Sequence, residues 1–368
     1  MNLRVVSVAV LGLAGVLPLS GVSHAQTPFL PDPAIVYRYA PSVRLHSYDN
    51  HRPAAIEAFL NSCVLKAANG AQLKDAPTVL DLGLYNASGN YLSPKWPIPA
   101  APNDYVTGDA PVSVSGSTAY WNSPFYVRCY DFPAHVDFKY AFFYPFNGFQ
   151  TFRADILTGF FRRTDRNFIW GNFARHVGDW EHVTVRLNKS MTQVLGVWYS
   201  QHGDSQYVTN PSFSGTHPIV YSALDSHANY AGRGWFRLAE VLPPPGILPV
   251  TRLQAVDTTE TGTHSVYRTP NPLYSTLLWE PYNYGNIILV DSNPSVSLAM
   301  NFLGKWGPLM DNTNIQRPPT LPSNAQNTLY NGAVIANVFG LLPAEYLENN
   351  GPDSPGNQGN GWWLSDEP

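Results

Sequence analysis

The segment Arg175 to Leu187, RHVGDWEHVTVRL, sets two carboxylates and two imidazoles at the mouth of a run that otherwise reads as a strand. Strand alternation sends Val183, Val185 and Leu187 one way and His182, Thr184 and Arg186 the other; counted back, Asp179 and Glu181 share the apolar side. Ionised carboxylates there are costly unless a cation or hydrogen-bond donors meet them. Two apart on one strand face, they start about 7 Å from each other and can lean toward one ion. His176 lies three residues before Asp179, and Gly178 permits a turn that brings its imidazole round. His-x-x-Asp-x-Glu thus offers one nitrogen and two anionic oxygens, a donor set for Mg2+ or Ca2+, with Mn2+ third, rather than for structural zinc. The alternative is a strand end whose acids pair with Arg175, Arg186 or Arg233. His202 in YSQHGDS and His227 in LDSHANY also end strand-like runs, where functional loops gather, although a lone histidine there is more often polar decoration. Trp180 faces away from the acids and fills core.

These residues need a β framework to hold them. The runs 119–131, 135–146, 179–187, 193–202, 217–223 and 286–292 are β-branched and aromatic, bounded by Gly, Pro, Asn and Asp. Short strands separated by turn signals predict a mainly β protein, a β-sandwich, in a single domain spanning 26–350. Pro53 opens an amphipathic N-terminal helix in which Ile56, Phe59, Leu60, Cys63, Val64 and Ala67 make one apolar stripe and Gly70 supplies the C-terminal cap. Residues 93–117 read as a long surface loop, and 351–368 as an irregular tail that Trp362 and Trp363 pin to the body. There is no internal repeat.

Residues 1–25 have the pattern of a secretory signal peptide, with Arg4, an apolar run and small residues at Ser23 and Ala25. No later stretch reaches the roughly 18 apolar residues of a transmembrane helix. Loss of the leader takes the formal net charge from −4 to −5, the wrong sign for a nucleic-acid binder. Charged residues are 13% of the chain, against about 25% in an average domain, so its surface rests on neutral polar side chains. Secretion makes the two cysteines, Cys63 and Cys129, an expected disulfide; the alternative is that Cys63, on an apolar helix face, is simply buried as a small hydrophobe. Sequons at Asn86 and Asn188 matter only in a glycosylating host.

In order along the chain, YAPSVRLHSYDNHRPAAIEAFL, FFYPFNG, HVGDWEHVTVRL, WYSQHGD, HPIVYSALDSHANY, YNYGN and GKWGP resemble the family of vacuolar protein sorting-associated protein 62. The centre also resembles the necrosis-inducing proteins secreted by plant pathogens, whose signature is G-H-R-H-D-W-E. That second resemblance implies a β-sandwich holding a divalent ion, with His176, Asp179 and Glu181 as ligands. Asn147 stands where those proteins carry a further Asp, which implies weaker binding. His182, His202, Asp225 and His227 are the candidates for supporting or ligand-contacting roles. The combined expectation is a secreted metal-containing protein that binds a membrane glycolipid or cell-wall glycan. The alternatives are a hydrolase using ion-activated water, with His202 or His227 carrying the proton, and a trafficking-related protein with a purely structural ion. No G-x-S-x-G motif supports an enzyme, and same-strand carboxylates do not flank a sugar from opposite sides.

Overall fold

The computed structural model describes residues 27–49, 51–100, 123–158, 162–169, 172–202, 204–241, 250–259, 278–310 and 350–358. The expected leader, most of the 93–117 loop, and Trp362 and Trp363 lie outside these residues. β1 (Thr27–Pro28) leads into α1 (Pro33–Tyr39), which Pro33 opens and Asp32 caps by accepting from the Ala34 amide at 2.9 Å. β2 (Ser42–Arg44) and α2 (Ile56–Asn61) follow, then β3 (Cys63–Lys66) and β4 (Gln72–Asp75). α3 (Val79–Leu84) begins with a capping box between Thr78 and Asp81, and β5 (Tyr91–Pro94) closes the N-terminal part.

The single helix expected from Ile56 to Ala67 is in fact a helix and a strand. Ile56, Phe59 and Leu60 are buried on α2, whereas Cys63 and Leu65 are buried on β3 by alternation, with Val64 and Lys66 between them half-buried. Three- and two-residue spacings overlap in so short an apolar run, and pairing of β3 with both β4 and β5 decides between them. Gly70 does not cap a helix. It takes φ +84° in the β3–β4 turn, beside Asn69, whose side chain accepts from the Ala71 amide at 3.0 Å.

The remaining strands are β6 (Phe125–Asp131), β7 (His135–Asn147), β8 (Thr151–Thr158), β9 (Arg162–Ile169), β10 (His176–Asn188), β11 (Val194–Gln201), β12 (Asp204–Val208), β13 (Phe213–Ser214), β14 (His217–Ser222), β15 (Asn229–Tyr230), β16 (Trp235–Val241), β17 (Val250–Thr258), β18 (Leu278–Trp279) and β19 (Ile287–Leu289), with α4 (Pro294–Met300) after them. They form a mainly β protein of several sheets. The largest runs β1-β6-β7-β10-β11-β12, with β19 added parallel to β6. A second runs β13-β14-β2-β18 with β15 on β14, a third runs β16-β17-β8-β9, and β4-β3-β5 makes a fourth.

The large sheet has an apolar cluster on each face. Val183, Val185 and Leu187 of β10 join Phe138, Tyr140 and Phe142 of β7, together with Val43, Val220 and Trp279 of the second sheet and Val36 and Tyr39 of α1. Trp180 instead joins Phe143, Trp306 and the α2 residues Phe59 and Leu60 on the other face, as alternation requires. This division corrects the cysteine expectation. Cys129 of β6 lies in the first cluster and Cys63 of β3 in the second, both are free thiols, and the large sheet separates them. Gly351 to Gln358 runs without helix or strand and is held down by Ser354, which is fully buried and receives the Trp306 indole N–H at 2.8 Å.

Candidate functional site

β10 pairs with β7 along its whole length, placing Asp179 opposite Tyr144 and Glu181 opposite Phe142, on the side that continues into Val183. Both acids are buried, with exposures of 6% and 8%. Gly178 takes φ +71°, and Val177 and Trp180 consequently fall in the same cluster across an interrupted alternation. A side chain at Gly178 would meet the Trp306 carbonyl at 2.7 Å, so the backbone conformation and the close approach both select glycine there.

What meets the acids is His227. It is fully buried, and its Nδ1 lies 2.7 Å from Asp179 Oδ2. Its Nε2 lies 3.2 Å from the His51 carbonyl and 3.5 Å from Asp49 Oδ2. The ring stacks on Tyr144, with centroids 3.8 Å apart and planes 5° from parallel. Glu181 is met by neutral donors: Asn229 Nδ2 at 3.2 Å and Ser200 Oγ at 3.4 Å, and the same Asn229 amide reaches the His182 carbonyl. Glu181 and Asp179 therefore lie side by side but are held by different partners.

The turn between β14 and β15 aims His227. Asp225 and His227 take φ of 68° and 55°, a left-handed conformation costly for non-glycine residues unless the surroundings enforce it. They do so here: the Asp225 amide donates to Asp49 Oδ2 at 3.2 Å, the Asp225 carbonyl accepts from the Gly148 amide at 2.9 Å, and Leu224 donates to Thr258 at 2.8 Å. Asp49 is itself fixed by the His51 amide at 2.8 Å. Four chain segments, around residues 49, 148, 179 and 227, thus converge on one buried ionic centre.

Burial alone would make His227 less basic, but the charge of Asp49 and the hydrogen bonds of Asp179 and Asp49 outweigh it and raise the pKa to about 10. Burial likewise works against the Asp49 carboxylate, yet the His227 charge and hydrogen bond, with His51 and Arg52 adding, hold it well below the usual range. Glu181 moves the other way, pushed well above the usual carboxylate range by burial and then by the charge of Asp179. The centre sets a histidine made more basic between the carboxyl groups of Asp49 and Asp179, with Glu181 beside it made less acidic.

The other candidates lie elsewhere. His176 and Asn147 are register partners at the mouth of β10 and β7; His176 Nδ1 lies 2.6 Å from the Gly178 carbonyl, and Asn147 donates to the Ala174 carbonyl at 2.5 Å. His182 alternates to the Trp180 side and pairs in register with Ala141. Asp225 contributes backbone to the centre, and its carboxylate lies 3.9 Å from His51 Nε2. His202 belongs to a second group, in which Asp257 Oδ2 meets His202 Nε2 at 2.7 Å and the Tyr230 hydroxyl at 2.8 Å, while Ser226 donates to Oδ1 at 2.8 Å.

His227 takes the Asp179 oxygen nearest it, the Asn147 amide nitrogen donates to the Ala174 carbonyl and leaves its oxygen out of that bond, and among the described residues no three His, Cys, Asp or Glu are grouped as around an ion. Sequence reasoning missed Asp49, His51, Asn229 and Asp257. Asp49 and His51 sit in SYDNHRP, where two ionisable residues either side of an asparagine, just ahead of a proline, were the available signal. Asn229 and Asp257 carried none, since Asn229 reaches Glu181 from a strand of another sheet and Asp257 meets His202 and Tyr230 from a third.

The model of the family described as vacuolar protein sorting-associated protein 62 matches residues 33–241. The chain belongs to that family. Two relatives from Saccharomyces cerevisiae fit this membership: vacuolar protein sorting-associated protein 62 at 26% identity and putative vacuolar protein sorting-associated protein TDA6 at 24%, each matched over 55% of this chain. The chain covers 46% and 47% of those proteins, about half their length. Necrosis and ethylene inducing protein 2, from the causal agent of cocoa's witches' broom disease, aligns over 77% of this chain and 96% of its own at 17% identity, with a TM-score of 0.26. At that score the likeness carries no statement about ligand or activity. The span matched to the vacuolar protein sorting-associated protein 62 family contains Asp49, Asp179, Glu181 and His227, but stops before Asp257.

Proposed function

We propose that this member of the vacuolar protein sorting-associated protein 62 family is a secreted, non-catalytic binding protein for a membrane glycolipid or cell-wall glycan, with the His227 centre as its rigid hub. The observation carrying the reading is the closure of that centre. His227 has no exposed surface, and Asp49, Asp179 and Glu181 are buried against protein partners, which supports a structural rather than a catalytic role for the centre. The reading includes a β-sandwich, supported by the apolar cluster that the large sheet and the β13-β14-β2-β18 sheet share. It also includes export through residues 1–25, tested by cell fractionation and N-terminal sequencing of the mature protein.

A divalent cation, Mg2+ or Ca2+ ahead of Mn2+, is a separate proposal. It would have to replace the imidazolium charge, because His227 already stands between the carboxylates of Asp49 and Asp179. Metal analysis of the purified protein, with melting in chelator and in added ion, decides it: a bound ion raises the melting temperature by mass action. A hydrolase would have to work from His202, which is half-buried, and the buried Asp257 instead. The deciding experiment for the main reading is retention on a panel of immobilised glycans and glycolipid vesicles, with the eluted ligands checked for cleavage. Intact ligand recovered after retention supports it; cleaved ligand, or no retention anywhere on the panel, overturns it.

A further inference from the structure

We propose that the outer face of the β16-β17-β8-β9 sheet is a binding site for an acidic saccharide, a sugar ring carrying a carboxylate, phosphate or sulfate. This names the ligand class for the recognition proposed above and rests on it. A cavity of about 320 Å3 is bounded there by Arg153 and Asp155 of β8, Trp235 and Arg237 of β16, and Arg252 and Gln254 of β17. The register puts Arg153 opposite Gln254, Asp155 opposite Arg252, and Arg237 opposite Val256, so these are alternate residues on one face of three neighbouring strands. The intervening residues of β17, Leu253, Ala255 and Asp257, are buried on the other side. The cavity is small for a ligand pocket and has room for one or two sugar rings.

Its chemistry matches such a ligand. Trp235 is half-buried, and the Arg153 guanidinium lies over its ring, 5.5 Å from the centroid, so a sugar would meet the indole together with the cation stacked on it. Arg237 Nη1 and Arg252 Nε each donate to Glu240, at 2.6 Å and 2.8 Å, and Gln254 Nε2 reaches the same carboxylate at 3.2 Å. Ion pairs this exposed add little stability, so the consequence of the arrangement is orientation. Glu240 fixes two guanidinium forks by one nitrogen each, and the other N–H groups of those forks suit a planar carboxylate or a phosphate. Gln254, whose Nε2 donates to Glu240, offers its amide oxygen to ring hydroxyls, and Asp155 lines the same cavity. Three arginines against Asp155 and Glu240 leave this face positive in a chain of net charge −4, which selects anions.

The test is tryptophan fluorescence and calorimetry with D-glucuronate, compared with glucose and inorganic phosphate, on the whole protein and on Trp235→Ala and the exposed pair Arg237→Gln/Arg252→Gln. Circular dichroism confirms that each variant is folded. The expected result is saturable binding of glucuronate, weakened at least about tenfold by either change, with glucose and phosphate each at least about tenfold weaker on the wild type. Phosphatidylcholine vesicles with and without a sialylated glycolipid, run beside a soluble oligogalacturonide, tell a lipid-linked headgroup from a free glycan. Both outcomes support the site if Trp235→Ala abolishes them. Equal binding of glucose, phosphate binding as tight as glucuronate, or glucuronate binding unchanged in both variants overturns it. Retention of neutral glycans or vesicles that Trp235→Ala leaves intact removes this site and spares the broader binding reading.

Discussion

His227 holds two carboxylates that cannot stay charged and buried without it. His227→Phe keeps a ring to stack on Tyr144 but leaves Asp49 and Asp179 without their cation, and breaking a buried pair in this way costs about 3–5 kcal/mol. Adding Asp49→Asn and Asp179→Asn removes the orphaned charges, so the triple variant should regain most of that loss in urea melts. A triple variant no more stable than His227→Phe alone would mean that charge pairing is not what the centre supplies. The pH dependence has a definite sign. His227 is more basic folded than at its ordinary 6.5, so its contribution is complete below pH 6.5 and is lost as pH rises through about 10. Glu181, also raised in the fold, contributes in the same direction from its ordinary 4.5 upward. Thermal melts should therefore fall steadily between neutral and alkaline pH, and His227→Phe should flatten that slope; an equal slope in both proteins would place the alkaline loss elsewhere.

At the scale of elements, the turn carrying His227 is kept in place by a glycine in another element's flank. Gly148 follows β7, and a side chain there would meet Asp225 Cγ at 2.7 Å, inside the turn whose carbonyl Gly148 binds. Gly148→Ala should thus cost about 1–3 kcal/mol, in the range of overpacking changes, and should shift the His227 proton resonances in NMR spectra; an unchanged histidine spectrum would show that the turn absorbs the methyl group elsewhere. The same elements show what the sequence made legible. β7, β10 and β11 of the large sheet, and β14 of the second, were readable nearly to their ends, because runs of β-branched and aromatic residues bounded by turn formers mark them. The burial of Asp179 and Glu181 was readable from strand alternation. Their partner was not, because His227 arrives through a turn forty-odd residues away whose left-handed backbone is enforced by Asp49 and Gly148, and no local propensity encodes that. β3 was misread as helix for the opposite reason: its apolar residues satisfy two periods, and only the neighbours β4 and β5 choose one.

The whole molecule is organised by the large sheet, whose two faces carry separate apolar clusters, and the two cysteines report on them independently. Cys129 sits in the cluster shared with the β13-β14-β2-β18 sheet, and Cys63 in the one beneath α2 and α4. Burial pushes both thiols up, so neither presents a reactive thiolate in the folded protein. Denatured, unreduced protein should therefore label at two thiols, and native protein at neither over the same time. In slow labelling under native conditions each cysteine reacts only when its cluster opens, so the two apparent opening free energies measure the two faces separately. β6 and β7 contribute to both clusters, with Phe125 and Tyr126, and Phe142 and Phe143, pointing to opposite faces. One cluster cannot be lost without stripping cover from strands that the other needs, and Cys63 and Cys129 should label with equal free energies that match global unfolding. Labelling of Cys63 at a much lower free energy would show instead that the β4-β3-β5 sheet and its helices open as a unit of their own, while the His227 face stays closed.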